Sequence, residues 1–462
     1  MKCISQYYIP LTRDIEIWFY LDKCLVETVK NIEDEEIEAP FDFGFIKVSI
    51  EFSLKEYETI SNAGMLTRPK YLAVLGVLSF ISDEPFDVFG PHTRSFVQPN
   101  GLEGFNSNST TKFKVENVDL TYELKEFLSE INGAKGHEQS LIFSLLDRWR
   151  KGRYLEKENE QSLLYLDEAT LSYFHVLELL GNNYSNEITS KLIEKIETLV
   201  DDVNSNLLFL TGDHLEQKNS EKTNLIKSVW TSEISIASKI NYLLKKLDLY
   251  TKETAFWVKV LIDQRNSVAH GRRVHYDKAI FPVRPFFPLV FDDLYPLEYL
   301  RVFVAKVISR YLDIPFYNEE WEELNEWLIV DLNTTKSNIN HESFESSENL
   351  NDDAKKVLYG GLNYFILTNK IDIKEAHRFY EYYLNNEINN DDFLCSNIEA
   401  LVILYEYQDD QKLSDKIFSA FRKIEELDCN PYLRFRDLMY YLDYYNFETN
   451  NLEKLISTKE IK

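Results

Sequence analysis

Cysteine is scarce in this chain, with only Cys3, Cys24, Cys395 and Cys429 among 462 residues. No two form a CxxC pair, which excludes a zinc cluster or thioredoxin-like motif of that spacing. Thiols this sparse suit a reducing cytoplasm. Long apolar runs are also missing. The most apolar one, Tyr71 to Ile81 (YLAVLGVLSFI), falls well short of the ~20 residues that a membrane-spanning helix needs. It reads as a buried strand or a short core helix. The opening MKCISQYYIP lacks the apolar core of a signal peptide, so a cytoplasmic protein without a membrane segment is expected. Basic residues are outnumbered: 51 Lys and Arg against 77 Asp and Glu leave a net charge of -26. That balance excludes a broad basic coat for DNA or RNA, because phosphate affinity needs clustered Lys and Arg. It leaves room for a local basic site.

What is present is ordinary for a folded protein: 44% hydrophobic and 28% charged residues, with 14% aromatics, most of which belong in cores. The length suggests about three domains. Residues 1–118 read as a mixed α/β region. Phe45 to Leu54 (FIKVSIEFSL) alternates apolar and polar residues as a half-buried strand does, and Glu16 to Leu21 (EIWFYL) is similarly β-rich. Glu33 to Glu38 (EDEEIE) reads as a solvated loop. Pro85, Gly90, Pro91, Pro99, Gly101 and Gly104 punctuate a turn-rich stretch without a Walker-type or dinucleotide-type glycine loop.

Residues 119–313 turn helical. Apolar spacing predicts helices over about Leu120–Ile131 and Ser140–Arg153. Four longer ones follow, over about Ser162–Leu180, Glu187–Asn206, Glu221–Leu249 and Lys252–His270. Gly181 and Gly271 are placed as helix-ending residues. After a proline-rich loop, a fifth long helix covers about Leu297–Leu312. Several antiparallel helices sharing a core make a bundle. Residues 314–353 carry eleven acids against Lys336 alone and read as an acidic linker. Residues 354–462 read as a helical C-terminal region.

The sharpest local feature closes the fourth long helix: Asp263-Gln264-Arg265-Asn266-Ser267-Val268-Ala269-His270-Gly271. On the residues alone two readings stand. A histidine before a capping glycine can bond backbone carbonyls at the negative helix end, with Arg265 paired to Asp263 or Glu178. Alternatively, Arg265 and His270 are a phosphate holder and a proton carrier. Five residues apart on a helix they lie about 140° apart, so a turn at the helix end, or a second protomer, would be needed to bring them together.

The arginine, four intervening residues, the histidine and the RN-xx-AHG wording together resemble the R-x4-6-H signature of the HEPN superfamily, most closely its ApeA-type branch. The resemblance covers about Leu120 to Leu312. It implies a mainly α fold: an antiparallel HEPN-like helical bundle, here preceded by the α/β region and followed by the helical tail. It further implies a metal-independent endoribonuclease acting as a homodimer in phage defence or toxin action, needing no cofactor. Arg265, His270 and Asn266 would form the catalytic set. Glu178, on the first long helix, would orient Arg265 or His270, in a role for which Asp167 and Glu168 compete. The window Lys259 to Arg284 holds six bases against two acids, a net +4. Within it Arg272, Arg273 and Lys278 are the expected RNA contacts. Phe281, Phe286 and Phe287 are expected to pack the loop rather than stack on bases. No histidine has the neighbours of a metal ligand. The flanking regions are candidates for receiving an activating signal or partner. The rival expectation is a non-catalytic bundle that dimerises or binds nucleotide or RNA.

Overall fold

The structure is a computed structural model that describes residues 1–32, 43–56, 58–86, 91–102, 111–116, 118–162, 165–269, 297–326, 328, 331–340, 361–377, 379–380, 389–407, 411–427, 435–444, 447–458 and 461. The chain is mainly helical, with an N-terminal antiparallel sheet and a helical C-terminal region. By contact it divides into two units. The first comprises Met1–Leu249 and Leu297–Asn318, the second Tyr250–Pro296 and Glu319–Lys462.

The first unit begins with seven strands: β1 (Lys2–Pro10), β2 (Ile15–Leu21), β3 (Cys24–Val29), β4 (Phe45–Ser53), β5 (His92–Val97), β6 (Lys112–Val115) and β7 (Val118–Asp119). Their order across the sheet is β5-β1-β4-β3-β2-β6-β7, antiparallel throughout. The β2–β3 hairpin turns on Asp22 and Lys23, both at positive φ (39° and 64°), the backbone a tight two-residue hairpin requires.

β4 alternates as its sequence does, yet it is buried on both faces along all but its last residue. The half-buried expectation fails because the polar face is covered and its polar groups are paired. Lys47 reaches Glu27 at 2.8 Å, and Glu51 Oε2 accepts from the Leu102 amide at 2.8 Å. The other face packs on α1 (Ala63–Ser82), where Tyr7 stacks on Tyr71 with ring centroids 4.1 Å apart. The Tyr71–Ile81 run is therefore helix, not strand. A helix pressed between a sheet and further helices is apolar all round, which erases the periodicity that would have identified it.

Six more helices complete the body of the first unit: α2 (Thr121–Gly133), α3 (His137–Ser162), α4 (Leu166–Asn183), α5 (Ser185–Asp202), α6 (Gly212–Ser232) and α7 (Ile236–Lys246). After the segment assigned to the second unit, the chain returns as α9 (Leu297–Tyr311). α3 packs on α1 and α4, and α4 packs on α7 and α9. The core centres on Trp149, fully buried, with Phe80 at 5.3 Å and Tyr317 at 6.1 Å between ring centroids. Gly181 lies inside α4 rather than ending it. A Cβ there would meet Lys239 Cβ of α7 at 3.4 Å, so the glycine allows a close helix crossing. The expected helix from Glu221 to Leu249 is two helices. The break at 233–235 is set by Ser235, whose hydroxyl caps α7 by accepting from the Ser238 amide at 3.1 Å.

A partly buried ion network fastens these helices. Asp83, at the left-handed end of α1 (φ 52°), binds Arg153 of α3 at 3.0 Å and Arg301 of α9 at 2.7 Å. Both guanidiniums also face Glu156 of α3, at 3.5 and 3.4 Å. Tyr173 of α4 donates its hydroxyl to Glu156 at 2.6 Å. Burial pushes the Glu156 carboxyl up while the two guanidiniums oppose that shift.

The second unit holds α8 (Lys252–Ala269), α10 (Asn318–Glu326, from Glu319 onward) and α11 (Leu332–Asn340). Helical stretches over 361–367 and 373–377 follow. Then come α12 (Asp391–Ser396), α13 (Ile398–Tyr407), α14 (Gln411–Leu427), α15 (Phe435–Tyr444) and α16 (Asn450–Ser457). The described part of the expected acidic linker thus carries two short helices, with Thr335 and Ile339 of α11 buried. α13 is buried through its first seven residues, Glu399 included. Cys395 is disulfide-bonded, whereas Cys3 and Cys24 are free and buried. Among the described residues no helix is long and apolar enough to cross a membrane.

Candidate functional site

The motif begins on α8, whose start and core the sequence fixes locally. Thr251 and Thr254 cap it reciprocally: the Thr254 amide donates to Thr251 Oγ1 at 3.1 Å and the Thr251 amide to Thr254 Oγ1 at 2.7 Å. Trp257, Val258 and Leu261 are buried, and Phe256 meets Phe365 edge-on at 6.3 Å. This anchoring leaves the C-terminal end of α8 to carry Arg265 and Asn266, both half-buried. The Arg265 Nη1 donates to Asn266 Oδ1 at 3.1 Å. The amide oxygen thus braces the guanidinium from the next position along the chain, fixing one edge of the fork. Lys259, two turns earlier, is exposed. α8 ends at Ala269, the last described residue before the glycine. His270, Arg272, Arg273 and Lys278 lie outside the described residues, as do Phe281, Phe286 and Phe287.

Glu178 lies on α4 in the first unit, whereas Arg265 and Asn266 belong to the second. Its carboxylate is 17% exposed and sits 3.9 Å from His175 Nε2, one turn away on the same helix. The other ring nitrogen of His175 is 3.4 Å from Arg148 Nη1 on α3. Arg148, His175 and Glu178 therefore form a graded row: cation, imidazole, carboxylate. Arg148 is the member of this row that sequence reasoning missed. Its only signal was membership of the basic tail DRWRKGR, and nothing local says which of those arginines meets α4. The competing carboxylates Asp167 and Glu168 are exposed in the first turn of α4, the favourable end of a helix for acids.

Among the described residues, no group of three or more His, Cys, Asp or Glu side chains is arranged to hold a metal ion. A cavity of about 190 Å³ in the first unit is lined by Leu21, Cys24, Pro69, Lys70, Val74 and Phe143, among others. Burial pushes the Cys24 thiol up to about 12, which keeps it protonated and non-nucleophilic. Set against known protein families, curated proteins and solved structures, the chain matches none.

Proposed function

We propose that this chain is a metal-independent endoribonuclease of HEPN type, acting as a homodimer in phage defence or toxin action. The observation that carries the reading is the RNSVAHG sequence at the C-terminal end of α8, with Arg265 held by Asn266 at 3.1 Å. The mainly helical surroundings and the net +4 window of residues 259–284 support it.

The chemistry needs no metal. The ribose 2′-OH attacks the adjacent phosphorus, the P–O5′ bond breaks, and the products are a 2′,3′-cyclic phosphate and a 5′-OH. His270 moves a proton as general acid or base. Arg265 binds the phosphate and stabilises charge gathering on its non-bridging oxygens. Asn266 aligns Arg265. Arg272, Arg273 and Lys278 hold the backbone on either side. Glu178 is assigned to positioning, acting through Arg265 or His270 of either protomer.

The test is incubation of the purified full chain with total RNA in EDTA, beside Arg265→Ala and His270→Ala. Cleavage by wild type, reduced at least 100-fold in both variants, is the expected result. Equal cleavage by the variants refutes the assignment. No cleavage under any condition leaves the rival reading of a dimerising or RNA-binding scaffold.

A further inference from the structure

The hairpin formed by α5 and α6 presents an apolar tip that nothing in the chain's own described structure covers. Leu207, Leu208 and Phe209 are consecutive and 67%, 59% and 79% exposed. Single exposed apolar residues are commonplace, but three in a row at a loop apex are not.

This tip is built rather than loose. α5 runs into a π-helical turn, Val203–Leu207, closed by the Leu208 amide donating to Val203 O at 3.0 Å. The Leu210 amide donates to Asn204 O at 3.0 Å. Buried Asn204 donates through Nδ2 to Asn219 Oδ1 at 2.7 Å, and Asn219 Nδ2 donates to Asp201 Oδ1 at 2.7 Å. Phe209 is thereby held at φ 52°, a backbone region that an aromatic residue adopts only when its surroundings impose it. Glycine or asparagine would make that bend without strain. A strained phenylalanine held outward is pre-organised for contact.

The charge around the tip says what it contacts. From Leu199 to Glu216 there are four acids, Asp201, Asp202, Asp213 and Glu216, and no Lys or Arg. All four are exposed. An acidic rim repels RNA and the anionic surface of a membrane. Two such tips from two copies would also repel each other.

We propose that the α5–α6 tip docks into another protein, seating Leu207, Leu208 and Phe209 in an apolar pocket rimmed by Lys and Arg. This inference is independent of the nuclease reading, since it uses no residue of that site. The experiment places the photo-crosslinking residue p-benzoylphenylalanine at Phe209 of the full chain in its native cells and maps the adducts by mass spectrometry. The expected adduct is a peptide of a different protein, at an apolar site flanked by Lys or Arg. Its yield falls at least tenfold in Leu207→Ser/Leu208→Ser and in Asp213→Lys/Glu216→Lys. Reversing the partner's basic residues restores the latter variant. Unchanged thermal unfolding shows that each variant still folds. Lipid adducts, adducts to this chain's own peptides, indifference to the charge swap, or no adduct at all would each overturn the proposal.

Discussion

Glu399 sits in α13, fully inside the second unit, and accepts one hydrogen bond from Asn363 Nδ2 at 3.0 Å. Among the described residues no cation offsets its burial, and desolvation pushes its carboxyl up to about 8. The unfolded chain holds a glutamate near 4.5. Between those values the native state keeps a proton that the unfolded state has released. Stability contributed by this group is therefore complete below about pH 4.5, falls as pH rises, and is fully lost above about pH 8. At 1.36 kcal/mol per pK unit the full loss is about 5 kcal/mol, a large share of a typical domain's stability. Glu399→Gln keeps the shape and an acceptor for Asn363 while removing the titration. The assay is urea unfolding followed by far-UV circular dichroism, wild type beside variant, at intervals from pH 5 to 9. Their difference cancels every other titrating group. The variant should gain on wild type by about 1.4 kcal/mol per pH unit up to about pH 8, then level off. A difference that stays flat across the range refutes the buried-acid argument.

Three further expectations can be checked directly. Gly152→Ala would normally favour a helix by ~1 kcal/mol, but its Cβ would lie 2.6 Å from the Tyr173 ring, so a lowered melting temperature is expected, with a net cost of about 1–3 kcal/mol. Arg301→Gln leaves Asp83 and Glu156 sharing a single guanidinium, that of Arg153; it should cost about 3 kcal/mol in denaturant unfolding. Neutralising the exposed α10 acids, Glu319, Glu320, Glu322 and Glu323, to glutamine should raise RNA binding at low salt and lose that gain at high salt, as read by fluorescence anisotropy.

How much of this was legible in the sequence depends on how local the determinant was. α8 is a clear case: its apolar spacing and its Thr251–Thr254 cap lie within one stretch, and it begins at Lys252 as expected. The α6–α7 break was missed because Ser235 reads as an ordinary polar residue until its hydroxyl is seen to cap a new helix. Gly181 was misplaced because a glycine that ends a helix and one that lets two helices cross are the same letter. The polar face of β4 was read as solvent-facing because Lys47 and Glu51 find their partners on other elements, 20 and 51 residues away. The ion network of Asp83, Glu156 and Arg301 spans 218 positions, and no window of sequence contains it. Of the site, Arg265 and Asn266 were legible as neighbours. The contact of Arg148 with His175 was not, because it depends on which face of α3 meets α4.

The connectivity of the two units bears on how the protein is made. The chain leaves the first unit after Leu249, re-enters it at Leu297, and leaves again after Asn318. Phe256 of α8 meets Phe365, a residue synthesised more than 100 positions later. On the ribosome, α7 and α9 can complete the first unit while α8 still lacks the helices it packs against. Phe256 therefore gains its partner only after residue 365 is made, and an interrupted chain stopping before residue 319 carries the motif without the rest of its unit.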